Sequence, residues 1–259
     1  MKIVVPVKYV PEPTAVWRFA DDLTLDRGAV EGRLSELDEY AVEQAVRLVE
    51  GGLDAEIVAL TVGPAKATDA LRKALAMGAH SAVHVLDDAM HGSDALATSK
   101  VLAAAIDRTG YDLVICGMAS TDGEMSVLPA MVADRLGIAQ VTFASALSVE
   151  GGTVTIRRDS DTASEQIQAS LPAMVSVTDQ TGEARYPAFK AIMASKKKPV
   201  VTYSLADLGI AAGDVGTAAA ATVVRSLTVR PPRQAGQVVV DDGEGAVLIA
   251  DFLAERKFL

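Results

Sequence analysis

One segment of the sequence has residue types, and a position, that could serve ligand binding or catalysis. It is the run Gly117-Met118-Ala119-Ser120-Thr121-Asp122-Gly123-Glu124-Met125-Ser126. It follows the apolar run Asp112 to Cys116 and precedes Leu128, Val132 and Leu136 at helical spacing. A loop that leaves a strand and opens a helix presents free backbone N–H groups and the positive end of the helix dipole, which together favour a phosphate. The alternative is an ordinary β–α connection in which Gly and Asp serve the turn.

The helix after this loop is expected to begin near Ser126, because Pro129 is tolerated only in a first turn. Asp122 and Glu124 have the types of an acid/base pair, but solvation of the loop explains them equally well. Cys116 is interpreted as a small core residue rather than a nucleophile. Histidine occurs three times, at His80, His84 and His91, without zinc-type spacing. No catalytic residue and no metal site are predicted.

The familiar phosphate motifs are missing, since neither GxxxxGK[ST] nor a GxGxxG after the first strand occurs. An ATP-dependent ligase or amidotransferase of the pyrophosphatase-loop type expects an SGGxDS-like loop there. This chain has Lys8-Tyr9-Val10-Pro11-Glu12 instead, which disfavours that class.

A second segment, residues 183–198, is basic in an acidic chain. It holds five cationic residues and one anionic one, whereas the whole chain has a net charge of −10. Phe189, Ile192 and Met193 stand at i, i+3 and i+4, on one face of a helix. The pattern fits a solvated helix with a core stripe. It also fits a docking segment, in which an apolar anchor is surrounded by steering charges.

Predicted strands and helices alternate along the chain and position these segments. Continuous apolar runs predict buried parallel strands at Lys2 to Val7, Glu56 to Val62, Ala82 to Leu86 and Asp112 to Cys116. Helical spacing predicts helices at 37–48, at Ala67 to Met77, ended by Gly78, and at Asp94 to Ile106. Ser35 and Asp38 read as a capping box. The predicted fold is α/β, a doubly wound and mostly parallel sheet with helices on both faces.

The pattern changes after residue 140. Short antiparallel strands are predicted at Ser145 to Val149, Thr153 to Arg158 and Glu165 to Ser170, turning first at Gly151-Gly152, before a buried strand at Ala173 to Val177. A linker beyond Ala211, a strand-like run to Val229 and a short helix within Asp241 to Leu259 follow. The predicted domains are 1–205, a nucleotide-binding domain with a hairpin insertion at about 143–170, and 206–259, an extended C-terminal arm.

Composition excludes several classes of partner. The net charge of −10 and a pI near 4.8 disfavour nucleic acid, which requires a dominant basic surface. No apolar run approaches the ~18 residues that span a bilayer, so no membrane insertion is predicted. One cysteine excludes a disulfide framework, and the first apolar run is too short for a signal peptide. A cytoplasmic location is expected.

Several motifs, taken together, resemble the β-subunit family of electron-transfer flavoproteins over roughly residues 3 to 205. They are Val5-Pro6-Val7-Lys8 with Val10-Pro11, Asp38 to Ala45, Gly63-Pro64, Ala74 to Ala79, the Gly117 loop, Leu171-Pro172-Ala173, Arg185-Tyr186-Pro187, Ile192-Met193 and Lys196 to Lys198. The last cluster, from Arg185 to Lys198, is the most specific.

The resemblance implies an electron carrier subunit rather than an enzyme. It would pair with an α subunit that holds most of a redox-active FAD, and bind AMP, or a second FAD in bifurcating members. Electrons would pass from flavin dehydrogenases, such as acyl-CoA dehydrogenases of fatty acid β-oxidation, to a membrane quinone oxidoreductase. The implied nucleotide-binding residues are Pro6, Ser35, Glu36, Leu37, Asp38, Val62, Gly117, Met118, Ala119, Asp122, Gly123, Glu124, Met125, Ser126, Val127 and Leu128.

The resemblance also assigns partner contacts. The basic segment matches the family's recognition loop, with Phe189 as the anchor beside Ile192 and Met193 and with Lys196, Lys197 and Lys198 as the cationic rim. Arg158 and Asp159 are expected near the subunit interface, and the C-terminal arm is expected to pack on the α subunit. The chain departs from the family pattern in several places: Met118 and Val127 replace a common lysine and glutamine, Asp159 replaces glutamate, residues 160–163 are less acidic and less glycine-rich, and residues 182–184 replace a common Asn-Glu-Pro. A stand-alone adenine-nucleotide-binding domain of the stress-response type is the alternative.

Overall fold

A computed structural model describes residues 1–228, 230–233, 236 and 238–258 of the chain. It divides into one compact unit, Met1–Arg225, and a second that begins at Ser226. The predicted domain boundary at 205 therefore lies inside the first unit. Ile210 and Val215, which follow that boundary, are buried in the core of the first unit.

Twelve strands occur in the described residues: β1 (Lys2–Pro6), β2 (Tyr9–Pro11), β3 (Gly32–Leu34), β4 (Glu56–Val62), β5 (Ser81–Val85), β6 (Leu113–Gly117), β7 (Ala139–Ala144), β8 (Ala146–Glu150), β9 (Thr153–Asp159), β10 (Ser164–Ser170), β11 (Ala173–Val177) and β12 (Val200–Tyr203). The helices in the same part of the chain are α1 (Glu36–Glu50), α2 (Thr68–Met77), α3 (Ala95–Thr109), α4 (Leu128–Leu136), α5 (Phe189–Ser195), α6 (Gly216–Ala219) and α7 (Gly245–Glu255).

The central sheet has seven strands in the order β12-β5-β4-β1-β6-β11-β7, and every neighbouring pair is parallel. From β1 the chain moves outward through β4 to β5 and then returns to β6 on the other side of β1. This reversal of winding opens a crevice at the carboxyl ends of β1 and β6, where ligands bind in sheets of this kind. The predicted doubly wound α/β fold is confirmed.

Helices cover both faces of this sheet. On one face, α1 and α2 pack their apolar sides against alternate residues of β1 and β4, such as Ile3 and Ile57. On the other face, α3 and α4 pack against the intervening residues, such as Val4 and Val58. Because each central strand is buried on both sides, its sequence is a continuous apolar run, which is why β4 and β11 match their predicted bounds.

A separate antiparallel sheet has the order β10-β9-β8, as the predicted hairpin requires. Gly151 and Gly152 have φ values of 56° and 79°, which suit the tight turn between β8 and β9. The edge strands β7 and β12 were not predicted. Both are partly exposed, and so lack the uniform apolar pattern of the central strands.

The second unit contains the predicted short helix, which is α7, Gly245–Glu255. The strand-like run toward Val229 was predicted wrongly, since residues 222–228 adopt no strand and position 229 lies outside the described residues. None of the helices in the described residues has both the length and the apolar character needed to cross a bilayer.

Candidate functional site

The predicted nucleotide residues come together at the carboxyl edge of the parallel sheet. Pro6 ends β1, Val62 ends the neighbouring β4, and Gly117 ends β6 on the opposite side of β1. Helix α1 begins at the same edge, with Ser35 as its first flanking residue. The segments predicted from the sequence to bind the nucleotide therefore line the crevice where the winding of the sheet reverses.

Gly117 is required by a close approach between two elements. A Cβ atom at this position would lie 2.7 Å from both Asp38 Oδ1 and the Leu37 carbonyl oxygen. Asp38 Oδ2 accepts a hydrogen bond from the Lys8 backbone N–H at 2.8 Å, and the Gly117 N–H lies near this carboxyl. Burial raises the pKa of Asp38 to about 7, although both N–H groups act in the opposite direction. The Asp38 side chain thus ties the start of α1 to the ends of β1 and β6.

The predicted capping box at Ser35 and Asp38 is wrong. Ser35 flanks α1, but its side chain makes no capping hydrogen bond. Its hydroxyl instead accepts the Thr121 backbone N–H at 3.4 Å, while Asp38 faces Lys8. Both side chains bind residues of the strand ends, which sequence spacing within α1 does not reveal.

Asp122 forms a buried ion cluster. Its side chain has no exposed surface, and it accepts Lys8 Nζ at 2.7 Å, Arg27 Nε at 2.9 Å and Arg27 Nη2 at 2.7 Å. Burial alone would raise the pKa of Asp122, but Lys8, with help from Arg27 and Ser120, outweighs it and holds the pKa at about 2. Glu124 is exposed and distinct from this cluster. An acid/base pair of Asp122 and Glu124 is therefore not supported, because Asp122 stays ionised.

Sequence reasoning did not assign Lys8 or Arg27 to the site. Lys8 lies two positions after the end of β1, so its place at the edge of the sheet could have been predicted from the sequence. Arg27 lies in the long connection between β2 and β3 and meets Asp122 across 95 residues of sequence. No local pattern marks that contact.

The segment between Asp122 and α4 has an unusual backbone. Glu124 and Ser126 have φ values of 50° and 56°, in the left-handed region that non-glycine residues rarely adopt, whereas Gly123 does not. Helix α4 begins at Leu128, two positions beyond the predicted start, and Pro129 lies in its first turn as predicted. Within the described residues, the backbone N–H groups of residues 125–128 donate to no protein acceptor.

One buried polar atom in this crevice lacks a partner. Thr121 Oγ1 has no exposed surface and no hydrogen bond among the described residues. A buried hydroxyl without a partner is costly, and because this atom has no accessible surface, a ligand could reach it only if the loop moved. With the free N–H groups of residues 125–128 and the cations at Asp122, the crevice fits a phosphorylated nucleotide. The Glu36 carboxylate pairs with Arg33 at 3.1 Å.

The remaining predicted residues of the loop differ in exposure. Met118, Ala119, Ser126, Val127 and Leu128 are half-buried, and Gly123, Glu124 and Met125 are exposed.

The basic segment carries its apolar residues on the outside. Phe189, Ile192 and Met193 lie on the helix α5 and are exposed, Phe189 by 78%. The core-stripe interpretation is therefore wrong, and the docking interpretation stays a prediction. Lys196 and Lys197 are exposed as predicted.

Lys198 differs from the other two lysines. Its ammonium donates to the carbonyl oxygens of Leu75 at 2.8 Å and Ala79 at 2.6 Å, at the carboxyl end of α2. Burial lowers the pKa of Lys198. The predicted exposed rim thus loses Lys198, whose charge is used to cap a helix end.

The start of the docking segment is tied to helix α1. Arg185 donates to Glu43 Oε2 at 2.7 Å and to Glu50 Oε1 at 2.7 Å, and these hydrogen bonds, with Glu50 the stronger, raise the pKa of its guanidinium. Arg47 on the same helix donates to the carbonyl of Glu183 at 2.9 Å. These contacts hold the chain against α1 at Arg185, so the position from which the exposed docking segment begins is fixed.

Arg158 and Asp159 lie apart from the crevice, at the end of β9 in the antiparallel sheet. Arg158 Nη2 pairs with Glu165 Oε2 at 2.8 Å. Asp159 accepts from Ser145 Oγ at 2.6 Å, from Arg157 Nε at 2.8 Å and from the Ser164 hydroxyl. The two side chains are held by this sheet, and their place at a subunit interface stays a prediction.

The comparisons with known proteins agree on one family. The model of the electron transfer flavoprotein domain matches residues 22–208. The chain is 42% identical to the electron transfer flavoprotein subunit beta of Mycobacterium tuberculosis (strain ATCC 25618 / H37Rv), over 99% of both chains. It is 43% identical to the protein of the same name from Mycobacterium leprae (strain TN), over 99% of both chains. It is 31% identical to that of Megasphaera elsdenii, over 96% of this chain and 95% of the relative.

Proposed function

This chain belongs to the electron transfer flavoprotein family as a β subunit, and we propose that it pairs with an α subunit to form a cytoplasmic electron carrier. In this proposal the chain completes the FAD site of the α subunit and binds AMP in its own crevice. It receives electrons from flavin dehydrogenases, such as acyl-CoA dehydrogenases, and delivers them to a membrane quinone oxidoreductase. FAD, when bound, supplies the redox chemistry.

The observation that carries the nucleotide proposal is the crevice between β1 and β6. It presents the N–H groups of residues 125–128, which have no protein acceptor among the described residues. Gly117 permits the close approach that shapes it. A nucleotide phosphate satisfies such donors without any catalytic side chain.

The partner surfaces are proposed from exposure and charge. Phe189, Ile192 and Met193 form an exposed apolar face flanked by Lys196 and Lys197, which suits an acidic partner with an apolar pocket. We assign this face to the dehydrogenases. Arg158, Asp159 and the second unit, from residue 226 onward, are assigned to the α subunit.

Co-expression with the α subunit tests this proposal. The purified complex is expected to release one FAD and one AMP per heterodimer on denaturation, measured by chromatography of the released nucleotides. Two FAD molecules and no AMP would indicate the bifurcating type. Failure to form a heterodimer, with nucleotide bound to the lone chain, would favour the stand-alone nucleotide-binding domain.

A further inference from the structure

Arg27 reaches the nucleotide crevice from a separate part of the chain. It lies in the connection between β2 and β3, which spans residues 12–31. Its Nε and Nη2 atoms both donate to Asp122 Oδ2, at 2.9 and 2.7 Å, while Lys8 Nζ takes the other oxygen, Oδ1, at 2.7 Å. Two cations from different elements thus converge on one buried carboxylate of the loop.

The cluster has more positive charge than its carboxylate neutralises. Two cations and one carboxylate leave one positive charge in excess, and the side chains of Lys8 and Arg27 are 38% and 40% exposed while Asp122 is fully buried. Arg27 Nη1 donates to no acceptor in the described part of the chain. Asp38, the other carboxylate near Lys8, is buried and faces the backbone N–H groups of Lys8 and Gly117.

The excess charge lies against the loop whose N–H groups are free. A Cβ atom built on Gly123 would be 3.8 Å from Lys8 Nζ, and Lys8 also donates to Ser120 Oγ at 3.3 Å. One cation would suffice to neutralise the charge of Asp122. The second cation is explained if an anion also binds at this point.

We propose that Lys8 and Arg27 bind the phosphate of the nucleotide, and that Asp122 orients both cations for this contact. The phosphate then lies between the N–H groups of residues 125–128 on one side and the two cations on the other. The inference rests on the proposed nucleotide site and adds the side chains that select a phosphorylated ligand. Charge-assisted hydrogen bonds to phosphate are the strong class of hydrogen bond.

Binding of AMP and of adenosine to Arg27→Gln tests this role, measured by calorimetry on the full chain in complex with the α subunit after removal of bound nucleotide. Loss of a charge-assisted hydrogen bond should weaken AMP binding by about tenfold or more. Adenosine lacks the phosphate, so its affinity should stay within about twofold of the unsubstituted protein. Arg18→Gln is the matched control, because it removes the same charge from an exposed position in the same segment.

The outcomes are separable. If the unsubstituted complex binds neither AMP nor adenosine, the proposed nucleotide site itself fails. If that complex binds AMP and Arg27→Gln binds it equally well, the phosphate role is overturned. An equal loss of AMP and adenosine would also overturn it, because that result means a structural role only. Should Arg27→Gln fail to fold, Lys8→Gln gives the same comparison between the two ligands.

Discussion

Replacing Gly117 with alanine is expected to weaken AMP binding by more than about tenfold and to lower the free energy of unfolding by about 1–3 kcal/mol. The added methyl group would stand 2.7 Å from Asp38 Oδ1 and from the Leu37 carbonyl oxygen. One of these atoms belongs to the backbone, so the end of β6 or the start of α1 must move. Either movement displaces the loop that follows Gly117.

Calorimetric titration with AMP and chemical denaturation measure the two effects. Gly213→Ala is the matched control, because a Cβ atom there meets nothing within 4 Å and the backbone does not require glycine. This control should retain both affinity and stability. Normal AMP binding by Gly117→Ala would show that the nucleotide lies elsewhere.

Replacing Phe189 with alanine is expected to weaken binding to a partner dehydrogenase by about 2 kcal/mol or more. Phe189 is 78% exposed in the free chain, so its truncation should leave the stability of the chain unchanged. The loss should appear as faster dissociation and should persist at high salt, since the contact is apolar. Surface plasmon resonance at low and high ionic strength measures both rates.

Two control variants sharpen this experiment. Phe19→Ala removes another exposed phenylalanine, 53% exposed, from a different region and should leave the dissociation rate unchanged. Lys197→Ala removes a rim charge and should slow association only at low salt, because exposed charges are screened over about 10 Å at 0.1 M salt. A Phe189→Ala variant that dissociates at the original rate would contradict the docking role of α5.

The sequence was most informative for elements whose own burial determines their pattern of apolar residues. The strands β4 and β11 are buried on both faces, so their apolar runs marked both ends correctly. Gly78, with φ of 145°, ends α2 as predicted from its position after the last apolar residue. The loop after β6 was recognised as a candidate site from its place between a strand and a helix.

What the sequence could not reveal depends on contacts between distant segments. The meeting of Arg27 with Asp122 and the capping of α2 by Lys198 join residues that are 95 or more positions apart. Each side chain is a common surface type, so its local sequence marks no contact. The left-handed conformations of Glu124 and Ser126 are likewise imposed by the surrounding loop, because neither residue type prefers them.

The measurement that tests the account most directly is anaerobic absorbance of the flavin during reduction by an acyl-CoA dehydrogenase and its substrate. The reconstituted complex with the α subunit should bind FAD, and its oxidised flavin absorbance should fall when the reduced dehydrogenase is added. The lone chain should show neither a tightly bound flavin nor reduction. A lone chain that holds a reducible flavin, or a flavin-loaded complex that accepts no electrons, would contradict the assignment as an electron carrier subunit that depends on its partner.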